Sequence, residues 1–83
     1  MKLLYCKNCR DVVRLIKENR YCLCGKSSGM YLDNVNAVYS GNAVPLGINN
    51  SSFNEAVFYQ KEKESITFDA FVIEKQCKTF IKK

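Results

Sequence analysis

The chain has 83 residues, of which 47% are hydrophobic and 25% charged, and its formal net charge is +5. This length allows one domain at most, and no apolar run approaches the roughly 20 residues that a membrane-spanning helix needs. Histidine is absent, which excludes histidine-based catalytic triads and histidine metal ligands. The N-terminus lacks the long apolar segment of a signal peptide, so we expect a cytoplasmic protein.

Cysteine residues carry the clearest chemical signal. Two close pairs, a CxxC and a CxC motif, are separated by twelve residues, and a fifth cysteine stands alone near the C-terminus. Such pairs on tight turns suit four thiolates around one tetrahedral ion. We therefore predict one structural Zn²⁺, since four thiolates leave no open position for water or substrate. The predicted ligands are Cys6, Cys9, Cys22 and Cys24.

Three other readings of the cysteines remain open. A disulfide framework would normally show an even cysteine count and a secretory signal. A redox CxxC would precede a helix, whereas the residues after Cys9 resemble a strand. Iron in a rubredoxin-like site cannot be distinguished from zinc by spacing. Cys77 is interpreted as a small buried hydrophobe.

The two cysteine turns are predicted to differ. Gly25 follows the second pair and suits the positive φ that this position often adopts. Arg10 occupies the same place after the first pair. The two halves of the site are therefore expected to be non-equivalent.

Elements of the first half follow from local patterns. Residues 3–5 are predicted to be a short strand, and the β-branched residues 12–16 another. A polar turn over 17–20 leads back through 21–23 to the second cysteine pair, giving the turn–hairpin–turn arrangement of a zinc ribbon. Residues 30–40 alternate in polarity like one or two strands with one covered face.

The second half is predicted to add a helix. Residues 43–48 are apolar but contain Pro45 and Gly47, which indicates an edge strand or a structured loop. Ser52 and Glu55 match a capping box, and the helix is expected to run to about Lys63 with its apolar stripe in the core.

The C-terminal third completes the predicted fold. Residues 66–73 are the clearest strand, and the basic tail from residue 75 retains Phe80 and Ile81, so part of it is expected to dock. We predict a small α+β fold, an N-terminal zinc ribbon continuing into an antiparallel sheet with one short helix. Residues 1–83 form one domain, with the ribbon over 3–25, or up to 39, and residues 40–83 sharing its core.

Two surfaces are candidate binding sites. One is basic and lies on the ribbon; it would suit nucleic acid together with stacking tyrosines. The other lies between residues 34 and 54, a stretch without charge that holds six asparagines. Amides there suit a peptide backbone, a base edge or a small polar ligand. The candidate residues are Arg10, Arg14, Arg20, Asn34, Asn36, Tyr39, Asn49 and Asn50.

The sequence resembles zinc-ribbon proteins with rubredoxin-type turns. The likeness rests on the CxxC motif and on residues 22–27, CLCGKS, and it extends to small uncharacterised bacterial and phage zinc-ribbon proteins through VPLG at 44–47, NSSF at 50–53 and AFVI at 70–73. The resemblance implies the same fold, metal and four ligands. It implies no activity. If a phage encodes the protein, we expect it in the cytoplasm of the bacterial host.

Three functions are consistent with these features. The first is a non-enzymatic zinc-binding module that contacts a macromolecule, a protein in preference to nucleic acid. The second is an oligomeric protein that sequesters a small molecule or nucleotide, for example in phage counter-defence. The third is a rubredoxin-like electron carrier. No membrane partner is expected, and homo-oligomers are left open.

Overall fold

The strands form two four-stranded sheets. The computed structural model describes every residue from Met1 to Lys83. In chain order its elements are β1 Lys2–Cys6, β2 Val12–Arg14, β3 Arg20–Tyr21, β4 Ser28–Tyr31, β5 Ala37–Ser40, β6 Ala43–Ile48, α1 Asn50–Phe58, β7 Ala70–Val72 and β8 Phe80–Lys82. The first sheet has the order β2-β1-β6-β7 and the second β3-β4-β5-β8. All pairs are antiparallel except β5 with β8. The predicted α+β class is confirmed.

The hairpin predicted between β2 and β3 does not form. β2 pairs with β1, whereas β3 pairs with β4 in the other sheet. The residues after β2 cross from one sheet to the other: the N–H of Leu15 donates to the carbonyl of Lys2 (3.1 Å), and the N–H of Tyr31 donates to the carbonyl of Ile16 (2.7 Å). Each cysteine pair therefore lies at the tip of its own hairpin, one in each sheet.

β6 is a central strand and not the predicted edge strand or loop. It lies between β1 and β7, and five of its residues pair with β1, from Lys2–Gly47 to Cys6–Ala43. The nitrogen and carbonyl oxygen of one strand residue point to the same side. The nitrogen of Pro45 therefore faces β7, and the pairing with β1 needs no N–H from it. Its carbonyl accepts from the N–H of Ile73 (2.9 Å), just beyond the end of β7. The missing N–H thus falls where the β6–β7 ladder has already ended.

The helix begins and ends earlier than predicted. Asn49 is the N-cap, with its side-chain oxygen accepting from the N–H of Ser52 (3.1 Å). The predicted capping box is wrong because the Ser52 hydroxyl instead donates to the Asn49 carbonyl (3.2 Å) and accepts from the N–H of Asp69 (2.9 Å). α1 ends at Phe58 and has no buried residue, so its apolar stripe does not face the core. The nine residues of α1 are too few to span a bilayer.

One cluster of buried apolar residues joins the two sheets. Its members are Leu4, Cys6, Val13, Leu15, Cys22, Ala37, Tyr39, Ile73 and Phe80. The C-terminal tail does dock, since Phe80 is 1% exposed and packs edge-to-face on Tyr39 with ring centroids 5.2 Å apart. The partly buried Cys77 packs against this cluster. The strand predicted over 66–73 is shorter, and only Ile73 of that stretch is buried.

Candidate metal centre

Four sulfur atoms converge at the tips of the β1–β2 and β3–β4 hairpins. The Sγ atoms of Cys6, Cys9, Cys22 and Cys24 all lie within 4.8 Å of one another. Cys6 Sγ is 3.8 Å and Cys22 Sγ is 3.5 Å from Cys24 Sγ. A tetrahedral ion with metal–sulfur bonds of about 2.3 Å separates its ligand atoms by about 3.8 Å. The four thiols are therefore positioned to hold one metal ion.

The two hairpin tips, here called knuckles, share a hydrogen-bonding pattern. In the first knuckle, the N–H of Cys6 donates to the carbonyl of Asp11 (2.9 Å), and in the second the N–H of Cys22 donates to the carbonyl of Ser27 (3.0 Å). Each bond spans five residues and closes the knuckle at its base. The same loop architecture is thus built twice, once from CxxC and once from CxC.

Both knuckles also pass through the left-handed region directly after their second cysteine. Gly25 has φ 78°, and Arg10 has φ 63° although it carries a Cβ. The N–H of Arg10 donates to the carbonyl of Cys6 (2.8 Å), and that of Gly25 to the carbonyl of Cys22 (3.0 Å). Arg10 thus adopts the left-handed conformation of Gly25. The two halves are non-equivalent in length, because the Arg10 bond spans four residues and the Gly25 bond three.

Ser27 hydrogen-bonds to two of the sulfurs. Its hydroxyl donates to Cys6 Sγ (3.4 Å) and its N–H to Cys22 Sγ (3.3 Å), and the residue is 1% exposed. The Ser27 hydroxyl, followed by the backbone N–H of Cys9, lowers the pKa of Cys6 to about 6. Burial acts to raise the pKa of Cys22, but hydrogen bonds from the Ser27 N–H and the Cys24 side chain contribute to a net lowering. Ser27 therefore favours thiolates, the form that binds metal.

Cys24 shows the opposite tendency. The N–H of Lys26 lowers its pKa, but burial and the neighbouring sulfurs outweigh this and raise the pKa to about 11. The other thiols thus oppose ionisation of this one, because negative charge is already concentrated nearby. A divalent cation among the sulfurs would remove that opposition. The donor set consequently fits a cation on electrostatic as well as geometric grounds.

Two contacts fix the knuckles to each other and to the sheets. The carboxylate of Asp11 in the first knuckle accepts from the N–H of Leu23 in the second (2.9 Å). The N–H of Lys7 donates to the carbonyl of Asn42 in the β5–β6 turn (2.9 Å). The sequence reasoning missed Asp11 and Ser27. Each stands five residues after the first cysteine of its pair, and this shared spacing could have identified both.

The site is buried on one side and open on the other. Cys6 and Cys22 belong to the core, Cys9 is partly buried and Cys24 is exposed. Leu23, beside Cys24, is 86% exposed. The knuckles thus connect the hydrophobic core to an accessible apolar tip.

The basic candidate residues lie on the surface near the knuckles. Arg10, Arg14 and Arg20 are all exposed. The structure brings two of them together, since the Arg20 guanidinium donates to the carbonyl of Arg14 (2.9 Å). Arg10 lies on the first knuckle. Their role in binding a partner stays a prediction.

Most of the amide-rich candidates have partners within the protein. Tyr39 is buried in the core, and the Asn36 side chain donates to a carboxylate oxygen of Asp33 (2.9 Å). Asn49 caps α1, and the Asn50 side chain accepts from the N-terminal ammonium (2.8 Å). Only the side chain of Asn34 is exposed without such a bond among these residues. Binding of a ligand at these positions stays a prediction.

Comparison with known proteins adds no identification. Neither a family model, nor a curated protein, nor a solved structure matches the chain. The likeness to zinc-ribbon proteins therefore rests on the four-cysteine cluster and its knuckles.

Proposed function

We propose that this chain is a non-enzymatic binding module whose two knuckles are fixed by one structural Zn²⁺. Its ligands would be Cys6, Cys9, Cys22 and Cys24. The observation that carries the proposal is that hairpins from different sheets bring four sulfurs within 4.8 Å. An ion there joins the two sheets at the point where two of its ligands already belong to the core.

A structural role for the ion agrees with the size of the core. Only 15 of 83 residues are buried, so apolar burial alone provides limited stability. A four-cysteine zinc site supplies apparent binding free energy on the order of 10 kcal/mol, which becomes folding free energy when the unfolded chain has no site. Four thiolates also complete the coordination of zinc and leave no position for substrate.

The surface around the knuckles supports a protein partner. Leu23 is 86%, Tyr21 64% and Val12 50% exposed, so apolar side chains lie on both hairpins. Zinc with four thiolates changes the formal charge from +5 to +3, which reduces attraction to phosphates. Apolar and aromatic side chains near a positioned tip are typical of protein interfaces.

Cobalt substitution tests the closed site. Co²⁺ bound by four thiolates gives intense sulfur-to-metal charge-transfer bands and tetrahedral ligand-field bands. We expect this spectrum at one equivalent, unchanged by azide or other small added ligands. A spectrum that shifts with added ligand would show an open coordination position and overturn the structural assignment.

Partner class is tested on the zinc-loaded protein with a matched pair of variants. We expect Leu23→Ser to abolish cross-links to a co-purifying protein, and Leu32→Ser, at another exposed leucine (58%) in the β4–β5 turn, to preserve them. Single-stranded and duplex oligonucleotides are titrated alongside. Salt-dependent oligonucleotide binding that is lost on substituting Arg14 and unaffected at Leu23 would favour nucleic acid instead.

A further inference from the structure

The outer edge of β7 offers unpaired backbone groups. β7 is the last strand of the first sheet and pairs only with β6. The Asp69 carbonyl accepts from the β6 side (2.9 Å), and the Ile73 N–H donates to that side (2.9 Å). Since these groups alternate along a strand, the N–H and C=O of Ala70 and Val72 point away from β6.

Apart from its short length of three residues, this edge lacks the features that normally prevent pairing with another chain. Ala70, Phe71 and Val72 include no charged residue and no proline, and all three side chains are exposed. Sheet edges in monomeric proteins are usually protected by lysine, proline or a bulge. An uncharged, exposed edge strand is therefore a site for a further strand.

The residues around β7 expose a large apolar surface. We call residues 49–72 the arm; none of them is buried. The six most exposed apolar side chains of the arm are Val57 (59%), Phe58 (80%), Tyr59 (60%), Phe68 (41%), Phe71 (53%) and Val72 (69%). With full side-chain areas of about 150–250 Å², they expose roughly 650 Å². A standard interface takes about 800 Å² from each partner.

The arm extends from the body of the protein. The radius of gyration is 13.8 Å, compared with about 12 Å for a compact chain of this length. Between α1 and the residues after it lies an open cavity of about 620 Å³, lined by Ala56, Val57, Ile66 and Phe68 and by the six polar or charged residues 60–65. The rest of the chain therefore leaves apolar side chains of the arm uncovered.

We propose that the arm is the interface of a homodimer in which β7 pairs antiparallel with β7 of a second copy. The two-fold axis would pass through Phe71, so that Ala70 of each copy exchanges both backbone hydrogen bonds with Val72 of the other. The two first sheets would become one continuous sheet of eight strands. The two Phe71 residues would face each other as a non-hydrogen-bonded pair, where side chains approach most closely.

We expect the partner strand to come from a second copy because the outer edge of β7 is self-complementary. Antiparallel pairing about a two-fold axis requires the same groups from both chains, and β7 offers them in matching positions. In this register Asp69 lies opposite Ile73 of the second copy, so no two carboxylates oppose each other. The arm carries four acidic residues and two lysines, a net charge of −2, so like-charge repulsion between two arms is small.

Analytical ultracentrifugation of the zinc-loaded protein, from micromolar to hundreds of micromolar, tests the proposal. We expect a monomer–dimer equilibrium with a dimer mass twice 9.5 kDa. Val72→Lys is expected to weaken the dimer at least about tenfold, because it places a charge opposite Ala70 of the second copy, next to the two-fold axis. The control is Ile81→Lys, which adds the same charge at a half-exposed apolar residue of β8, an edge strand of the second sheet.

Amide hydrogen exchange locates the contact directly. We expect amide exchange at Ala70 and Val72 of the wild type to slow as protein concentration rises. Both variants should keep the metal content of the wild type. A wild-type protein that stays monomeric throughout the range would overturn the proposal. So would a dimer that Val72→Lys leaves intact or that Ile81→Lys disrupts, because either result places the interface elsewhere.

Discussion

Gly41 lies directly against Ser27, the residue that hydrogen-bonds to two of the clustered sulfurs. A Cβ built on Gly41 would come within 2.6 Å of Ser27 Oγ and 2.5 Å of the Lys26 carbonyl oxygen. Gly41 also has φ 101°, a conformation that residues with a Cβ rarely adopt. The β5–β6 turn thus packs against the second knuckle at Ser27, so the position of this turn affects the geometry of the sulfurs.

Gly41→Ala should destabilise the protein more than Gly25→Ala. Both glycines have positive φ, but nothing lies within 4 Å of a Cβ at Gly25. We expect Gly25→Ala to cost about 1 kcal/mol, the strain of the left-handed region. Gly41→Ala should add a steric displacement of Ser27 and exceed about 2 kcal/mol. Chemical unfolding of the zinc-loaded variants measures both, and equal costs would show that the close approach does not constrain the knuckle.

Ser27→Ala should weaken metal binding while the fold is retained. The variant loses the hydroxyl that donates to Cys6 Sγ but keeps the N–H that donates to Cys22 Sγ. We expect about a 10–100-fold loss of zinc affinity, as for other groups that orient metal ligands. Competition with a chromophoric chelator measures the affinity. Ser28→Ala is the control, since its hydroxyl pairs with Ser40 (3.2 Å); a similar loss there would contradict a specific role for Ser27.

Asn49→Ala should cost about 1 kcal/mol of unfolding free energy, because the variant removes the acceptor that caps α1. Glu55→Ala should change stability by less than about 0.5 kcal/mol, since the predicted capping box is not formed. Amide exchange in the first turn of α1 reports the helix itself. Faster exchange in Glu55→Ala than in Asn49→Ala would indicate that glutamate caps the helix after all.

Asp33 should stabilise the β4–β5 turn only when ionised. Hydrogen bonds from the backbone and side chain of Asn36 and from the N–H of Val35 lower its pKa from 3.8 to about 2. Because the folded-state pKa lies below the ordinary value, this stabilisation is complete above pH 3.8 and disappears as pH falls towards 2.

The expected effect of Asp33→Asn at neutral pH is a lower melting temperature. Asparagine keeps the size of the side chain but loses the charge and one acceptor. Calorimetry of the zinc-loaded variant measures the change. Glu74→Gln, which neutralises another exposed carboxylate, is the control, and an equal shift in both would attribute the effect to net charge alone.

Local patterns predicted the elements whose signals are short-range. The two cysteine turns and the strands on either side of the β4–β5 turn follow from neighbouring residues. The α+β class follows from the same signals. These features need no knowledge of which strand pairs with which.

Long-range pairing accounts for the errors. β2 and β3 are joined by a polar turn typical of a hairpin, yet each finds a better partner in a different sheet. Pro45 lacks an N–H and therefore indicates an edge strand, but β7 ends at Val72, before the position opposite Pro45 where that N–H would be needed. The contact between Gly41 and Ser27 spans 14 positions of the chain, and no periodicity marks it.

The most direct test of the central claim is native mass spectrometry of the purified protein and of two cysteine variants. We expect one zinc per wild-type chain, one per Cys77→Ser chain and none retained by Cys22→Ser. Circular dichroism on the same samples should show loss of the sheets in Cys22→Ser and in wild type treated with a chelator. A metal-free wild type that keeps its fold, or one whose mass reveals disulfides among the four cysteines, would contradict a metal-organised structure.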